Sequence, residues 1–265
     1  MLLREVEYSK PASVAGALDL LAADDGARAL AGGQTLINVM KARAASPDAL
    51  VDLNGIEELK GIELGADGTL TIGAMTTYTE LMRSAAASAR PVLAEVCAMI
   101  ADVQVRNRGT IGGNVCSNDP TNHLPPLMVA LGATMHILGA NGERTVPAEE
   151  FFLGVYMTAV AQDELLTRIS IPPGRHDGFA AVTLGIDGTC LANAAASMNG
   201  TLRIALGCVD AVPVVVEASS PDEARAAVRA AGIQPPGDVH ASSEYRAHLA
   251  EVLAERAARR AVEGR

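Results

Sequence analysis

A chain of 265 residues that is 49% hydrophobic and 20% charged has the composition of a globular protein. At this length folding buries about 70% of the unfolded chain's surface, enough for two or three cores, and with aromatics at 3% and no Trp these must be built from Leu, Val, Ile and Ala. The net charge of −10 argues against nucleic acid as a partner, because a phosphate-backbone binder needs a basic footprint, and no run approaches the roughly 20 apolar residues of a membrane span.

The opening residues Met1 to Tyr8 break up their apolar positions with charges, unlike a signal peptide, so a cytoplasmic location is expected. Residues 11–25 carry Val14, Leu18 and Leu21 at helical spacing, with Ser13 as N-cap. Ala29-Leu30-Ala31 reads as a buried strand running into a tight turn at Gly32-Gly33, a short helix follows from Leu36 to Ala42, and Ala49 to Leu53 reads as the next strand. Ile62–Leu64 and Leu70–Gly73 flank Asp67-Gly68 as a hairpin; helices are predicted around Tyr78–Arg83 and Pro91–Ala101, a glycine-rich loop over 109–114, and a helix over Pro126–Leu131. Thr134–Leu138 and Arg144–Val146 flank Asn141-Gly142, the strongest short hairpin signal. A strand over Leu165–Ile171 stops at Pro172-Pro173-Gly174, the best domain boundary. Beyond it come strands over Phe179–Leu184, Cys190–Met198 and Thr201–Gly207, then two Ala/Arg/Glu-rich helices near 222–231 and 242–262. Arg256, Arg259 and Arg260 read as a solvated helix face.

Cys97, Cys116, Cys190 and Cys208 stand alone in the sequence, as do the five histidines, so neither a zinc nor an iron–sulfur site is predicted in this chain. No Ser/His/Asp set points to covalent or hydrolytic chemistry. Two glycine loops carry the functional signal. In Ala31-Gly32-Gly33-Gln34-Thr35-Leu36 a strand delivers two Cβ-free residues to a helix start, where backbone amides and the helix dipole favour an anion. An ordinary structural turn has the same pattern. Thr110-Ile111-Gly112-Gly113-Asn114 offers a second set of hydroxyl and amide donors, so two loops could hold both phosphates of a dinucleotide. Neither is a Rossmann or P-loop fingerprint. Arg106 and Arg108 are open between neutralising phosphate, pairing with a partner, and plain surface exposure.

Six segments taken in order resemble a known family. They are A-G-G-Q-T-L at 31–36 followed by V-D-L at 51–53, I-G-A-M-T-T at 72–77, V-R-N-R-G-T-I-G-G-N at 105–114, G-E-R-T-V-P-A-E-E-F-F at 142–152 and D-E-L-L-T-R-I-S-I-P at 163–172. Together they are similar to the FAD-binding medium subunit of the carbon monoxide dehydrogenase and xanthine dehydrogenase group of molybdenum hydroxylases, from about residue 2 to 172 and more loosely beyond. The resemblance implies an α+β fold. Two α/β subdomains, about 1–55 and 56–173, would form an FAD-binding domain of the PCMH (vanillyl-alcohol-oxidase-like) type, with a C-terminal domain over 174–265 built on a three-stranded antiparallel sheet with helices.

The resemblance also implies the site and its company. Ala31, Gly32, Gly33, Gln34, Thr35 and Leu36 would wrap the FAD pyrophosphate, with Thr110, Gly112, Gly113 and Asn114 as the second side of the clamp. Ile100 would lie against flavin or adenine, and Leu166 would make a backbone contact. His123 stands where many relatives carry an Asp that binds the ribose, with Asp119 or Asn122 as alternatives. Val182 falls where relatives often place a lysine, the tail is short for the group, and the Cys-bearing insertion of some relatives is missing. Implied partners are a small subunit with two [2Fe–2S] clusters and a large molybdopterin subunit, assembled as a dimer of heterotrimers. The chain would then relay electrons through FAD to an external acceptor. Rival readings are a free-standing flavin oxidoreductase and a non-enzymatic nucleotide-binding assembly module.

Overall fold

The computed structural model describes residues 3–174, 176–185 and 188–264; the remaining positions, including Met1 and Leu2 at the start of the segment read above, lie outside the described residues. The chain first builds a parallel three-stranded sheet from β1 (Glu7–Ser9), β2 (Ala27–Leu30) and β3 (Ala49–Asp52), ordered β1-β3-β2. Parallel neighbours require crossovers, supplied by α1 (Val14–Ala23) and α2 (Leu36–Lys41). Ser13 Oγ accepts from the Gly16 amide at 3.2 Å to start α1, whose buried face is Val14, Ala17 and Leu21.

The next stretch forms an antiparallel five-stranded sheet. Its strands are β4 (Ile62–Leu64), β5 (Leu70–Gly73), β6 (Thr134–Gly139), β7 (Gly142–Pro147) and, after the two-stranded ribbon β8 (Phe152–Gly154) and β9 (Met157–Thr158), β10 (Leu165–Ile171), in the order β4-β5-β10-β6-β7. Between β5 and β6 run α3 (Tyr78–Arg83), α4 (Pro91–Met99), α5 (Val103–Arg108), α6 (Ile111–Ser117) and α7 (Leu124–Ala130); α8 (Ala148–Phe151) follows β7. A reciprocal capping box of Thr77 and Glu80 opens α3, and Pro91 sits in the first turn of α4. Every residue of α7 is buried, as an apolar helix at the centre of a core should be.

The glycine-rich stretch read as a loop is partly helical. Thr110 caps α6, its hydroxyl accepting from the Gly113 amide, and Asp102 caps α5. Glycine has poor helix propensity, so α6 is held by contacts from outside the segment: the Ile111 amide donates to Thr76 O and the Gly112 amide to Ala74 O, both at 2.9 Å.

The C-terminal sheet has β11 (Asp177–Thr183), β12 (Cys190–Asn199), β13 (Thr201–Gly207) and a fourth strand beyond the three expected, β14 (Val214–Ala218), in sequential order. Three consecutive valines at 214–216 supply the β-branched residues of that strand. Helices α9 (Ala224–Ala230) and α10 (Ser243–Glu263) complete the unit. On β12, Ala192, Ala194 and Ala196 meet Ala250, Ala254, Ala257, Ala258 and Ala261 of α10 in one core, and a Cβ on Gly178 would lie 2.1 Å from Ala257 O. Small residues on both sides let helix and sheet close tightly. The opposite face sends Phe179, Ala195 and Ala205 into the core that α7 fills.

One buried ion pair ties this last sheet to the preceding stretch. Arg90 Nε lies 2.8 Å from Asp177 Oδ2, both side chains are 3% exposed, and Arg90 Nη1 also donates to Pro172 O at 3.0 Å. Ser197 Oγ donates to Asp177 Oδ1 at 2.7 Å. Burial raises the Asp177 carboxyl above its usual range, against the pull of Arg90. Asp177→Ala should therefore cost about 3–5 kcal/mol, because it strands a buried guanidinium; urea unfolding of the variant measures this, and a loss below about 1 kcal/mol, the value of a surface pair, contradicts it.

Candidate cofactor site

The first glycine segment links β2 to α2. Gly33 takes the left-handed φ of +74°, where a Cβ would strain the backbone and would lie 3.2 Å from Ile37 Cγ1. The turn exposes a run of donors: among the described residues the amides of Gly33, Gln34, Thr35 and Leu36 donate no main-chain hydrogen bond, while Gly33 O and Thr35 O already accept from Ile37 and Val39. Gln34 Nε2 folds back onto Gly32 O at 3.1 Å and fixes the turn.

The second segment lies directly against the first. A Cβ on Gly32 would come 2.1 Å from Arg108 O, and one on Gly113 would come 3.3 Å from Ala31 Cβ. Gly112 is pressed onto Ala74, where an added Cβ would meet Ala74 Cβ and O at 2.6 Å. Its amides are not free donors, however. Those of Ile111, Gly112 and Gly113 are taken by Thr76 O, Ala74 O and Thr110 Oγ1. The two segments therefore differ in kind: the first presents amides, whereas the second uses its glycines for close packing.

Between them opens a groove of about 740 Å³, inside the roughly 300–1,000 Å³ typical of cofactor and ligand sites. It is lined by Ala31, Gly32, Gly33, Gln34, Thr35 and Leu36 on one side, Thr110, Gly112, Gly113 and Asn114 on the other, and Leu166, Leu165, Leu53 and Val160 as apolar wall. Asn114 is buried; its Nδ2 donates to Tyr78 Oη at 3.0 Å, and its Oδ1 has no hydrogen-bond partner. Burial holds the Tyr78 hydroxyl well above its usual range, so it stays protonated. Cys116 also lines the groove, and burial pushes its thiol up to about 12. At one end stands Tyr156, in the left-handed region with φ +56°, its amide on Asn118 O at 3.1 Å and its hydroxyl on Asp119 at 3.1 Å.

Ile100 and His123 lie elsewhere. Ile100 caps the C-terminus of α4, packs on the main core and gives its carbonyl to Arg106 Nη1 at 2.9 Å. His123 precedes α7 and is buried with its ring 5.5 Å from that of Phe179. Arg106 is occupied by the Ile100 and Ala101 carbonyls. Arg108 lines a second, smaller cavity of about 390 Å³ that also borders Leu30 to Gln34 of the first glycine segment, together with Lys41, Tyr8, Asp52 and Asn54. There burial pushes the Asp52 carboxyl up, but hydrogen bonds from Tyr8 and Asn54 outweigh it and hold the group below its usual range. Asn54 Nδ2 also donates to Ala31 O at 3.0 Å, so this cluster props the first glycine segment from behind.

Sequence reasoning did not reach Tyr78, Tyr156, Cys116 or the Tyr8–Asp52–Asn54 cluster. For Tyr78 a local signal exists, the Thr77-x-x-Glu80 box that starts its helix. Tyr8 and Asp52 are 44 residues apart, and nothing local marks them.

Residues 4–174 match the family described as "FAD binding domain in molybdopterin dehydrogenase". The chain belongs to this family. The carbon monoxide dehydrogenase medium chain of Afipia carboxidovorans is 37% identical over 98% of each chain. The nicotine 6-hydroxylase medium subunit of Paenarthrobacter nicotinovorans is 33% identical over 97% of each. In three dimensions the chain is similar to a chain in the crystal structure of quinoline 2-oxidoreductase from Pseudomonas putida, with a TM-score of 0.92, 34% identity, and 100% and 99% of the two chains covered. The family is the one the six sequence segments resemble, and its relatives are subunits of oxidoreductases. No helix of the described residues is long and apolar enough to cross a membrane.

The Tyr78–Asn114 pair gives a test of how the groove wall is held. Tyr78→Phe should cost about 1–3 kcal/mol, because it leaves a buried amide without its acceptor, and thermal unfolding measures it. An unchanged midpoint would mean the pair contributes nothing.

Proposed function

We propose that this chain holds FAD along the groove and passes electrons delivered by [2Fe–2S] clusters of a small partner subunit to an external acceptor. A large molybdenum subunit would carry out substrate oxidation, the complex being a cytoplasmic dimer of heterotrimers. The FAD-binding domain is assigned to residues 1–173, with subdomains of about 1–55 and 56–173, and the C-terminal domain to 174–265. The carrying observation is the run of undonated amides from Gly33 to Leu36 beside a left-handed Gly33, all lining the groove.

The residues present fit the group. A diphosphate is an anion with several acceptor oxygens, and unpaired amides at a helix start are its natural counterpart. Those amides, with the Gln34 and Thr35 side chains, would hold the pyrophosphate. Thr110, Gly112, Gly113 and Asn114 would form the opposite wall, where missing side chains admit the cofactor backbone and Asn114 Oδ1 offers a hydrogen-bond acceptor. Leu36 and Leu166 would give apolar contact and help keep water from the groove. Ile100 and His123 drop out of the proposed contact set because neither lines it. Bound FAD supplies acceptance of two electrons and their release singly or as a pair, which suits a link between iron–sulfur centres and varied acceptors.

Gly33→Val should leave the fold intact by circular dichroism and weaken FAD retention at least about tenfold, equivalent to about 1.4 kcal/mol. The readout is the visible flavin absorption of the purified chain after gel filtration, with the unchanged chain as reference. Stoichiometric FAD in the folded variant contradicts the assignment of the pyrophosphate site. Isolation of the native chain without iron–sulfur and molybdenum subunits would contradict the relay role.

A further inference from the structure

The seam between the C-terminal sheet and α7 holds a polar cluster that the flavin reading leaves unused. Cys190 opens β12 and Cys208 directly follows β13, its antiparallel neighbour, so the hairpin brings both sulfurs to the same end of the sheet. One amide nitrogen joins them: Asn193 Nδ2 lies 3.5 Å from Cys190 Sγ and 3.4 Å from Cys208 Sγ, and 3.3 Å from Asn122 O. Both cysteines are free thiols and both are buried. The His123 imidazole, its ring 5.5 Å from that of Phe179, is buried close enough to Cys190 to favour the charged form of that sulfur. Cys208 has a φ of +65°, in the left-handed region, and the Arg246 guanidinium sits 3.5 Å from its carbonyl oxygen.

The four cysteines divide into two kinds. Burial alone pushes the Cys97 and Cys116 thiols up to about 12. The Cys190 thiol is instead lowered, first by the hydrogen bond from Cys208 and then by His123 and Asn193, against the effect of burial. Cys208 is raised, first by that same hydrogen bond to Cys190 and then by burial. Two free sulfurs at one end of a hairpin, both within reach of one amide nitrogen, are placed as thiol oxidation chemistry requires, with one sulfur attacking and the other resolving.

We propose that Cys190 and Cys208 are a reversible oxidation site, closing to an intramolecular disulfide when the protein meets a peroxide. The Cys190 thiolate attacks one oxygen of hydrogen peroxide; the S–O bond forms, the O–O bond breaks, and the hydroxide that leaves takes the proton Cys190 had released to become water. The Cys208 sulfur then attacks the sulfenic sulfur; the S–S bond forms, the S–O bond breaks, and the departing oxygen carries away the Cys208 proton as a second water. Two thiols are oxidised and one peroxide is reduced. Asn193 acts as a positioning residue that holds the Cys190 sulfur beside its partner. The closed bridge would tie the start of β12 to the end of β13, under the first turn of α7.

The test uses the full-length folded chain, given a brief pulse of equimolar hydrogen peroxide, quenched with catalase, then denatured and alkylated. Peptide mapping without reductant should show Cys190 and Cys208 joined with loss of two hydrogens, restored by dithiothreitol, while Cys97 and Cys116 are alkylated. The Cys208→Ser chain should instead carry a dimedone-reactive sulfenic acid on Cys190. The proposal is overturned if all four thiols of the native chain are alkylated after the pulse. It is equally overturned if the bridge involves Cys97 or Cys116, or if Cys190 is oxidised without joining Cys208.

Discussion

The close approach of two main-chain segments governs the rest of this molecule. Gly32 rests on the carbonyl of Arg108, and Gly112 rests on Ala74, at separations no side chain could share. The first contact joins the parallel sheet, through its β2–α2 turn, to the end of α5, and the second seats α6 on the β5–α3 connection. The groove exists because the two units touch at the glycines and diverge beyond them. A protein interior packed to crystal-like density has no slack to absorb a methyl group at such a point, so glycine is demanded there by packing before any ligand is considered.

The two segments nevertheless contribute different things. The first is propped from behind by Asn54 on the Ala31 carbonyl and leaves its amides unspent. The second has spent its amides on Thr76, Ala74 and Thr110 and is rigid for that reason. A flexible donor set on both sides would lose ordering entropy on binding, whereas a fixed wall opposite a preformed donor turn loses little. The proposed cofactor site is thus asymmetric in its polar groups, although the sequence presents two similar glycine pairs.

Local chemistry was readable in the sequence, and distant chemistry was not. The turns at Asp67-Gly68 and Asn141-Gly142 announce their hairpins because the left-handed residue lies within the motif; Gly68 and Gly142 both have positive φ. Ser13 marks its helix through a local signal too, as an N-cap whose hydroxyl accepts from the Gly16 amide. The helix through Gly112 and Gly113 was hidden because its stability comes from acceptors on the β5–α3 connection, not from its own residues. The strand over Val214–Ala218 was passed over between a proline and an Ala-rich helix. Of the predicted site, the glycine segments and Leu166 are brought together, since their sequence pattern and their geometry share a cause. Ile100 and His123 were transferred by position alone, and position says nothing about which way a buried ring or an aliphatic side chain faces. The pairing of Cys190 with Cys208 needed strand register to become visible at all.

The Arg90–Asp177–Ser197 link has a bearing on how such chains can be recombined. The guanidinium belongs to α4's start, its carboxylate partner to β11 and the supporting hydroxyl to β12, while the Pro172 carbonyl bonded to the same guanidinium sits in the connection from β10 to β11. A hybrid that joins the first part of this chain to another protein's tail at the Pro-Pro-Gly junction would inherit a buried cation without its counterion. Exchange of the tail as a module is therefore constrained at a residue more than eighty positions upstream of the cut, and a compatible donor must bring an acid at the position of Asp177.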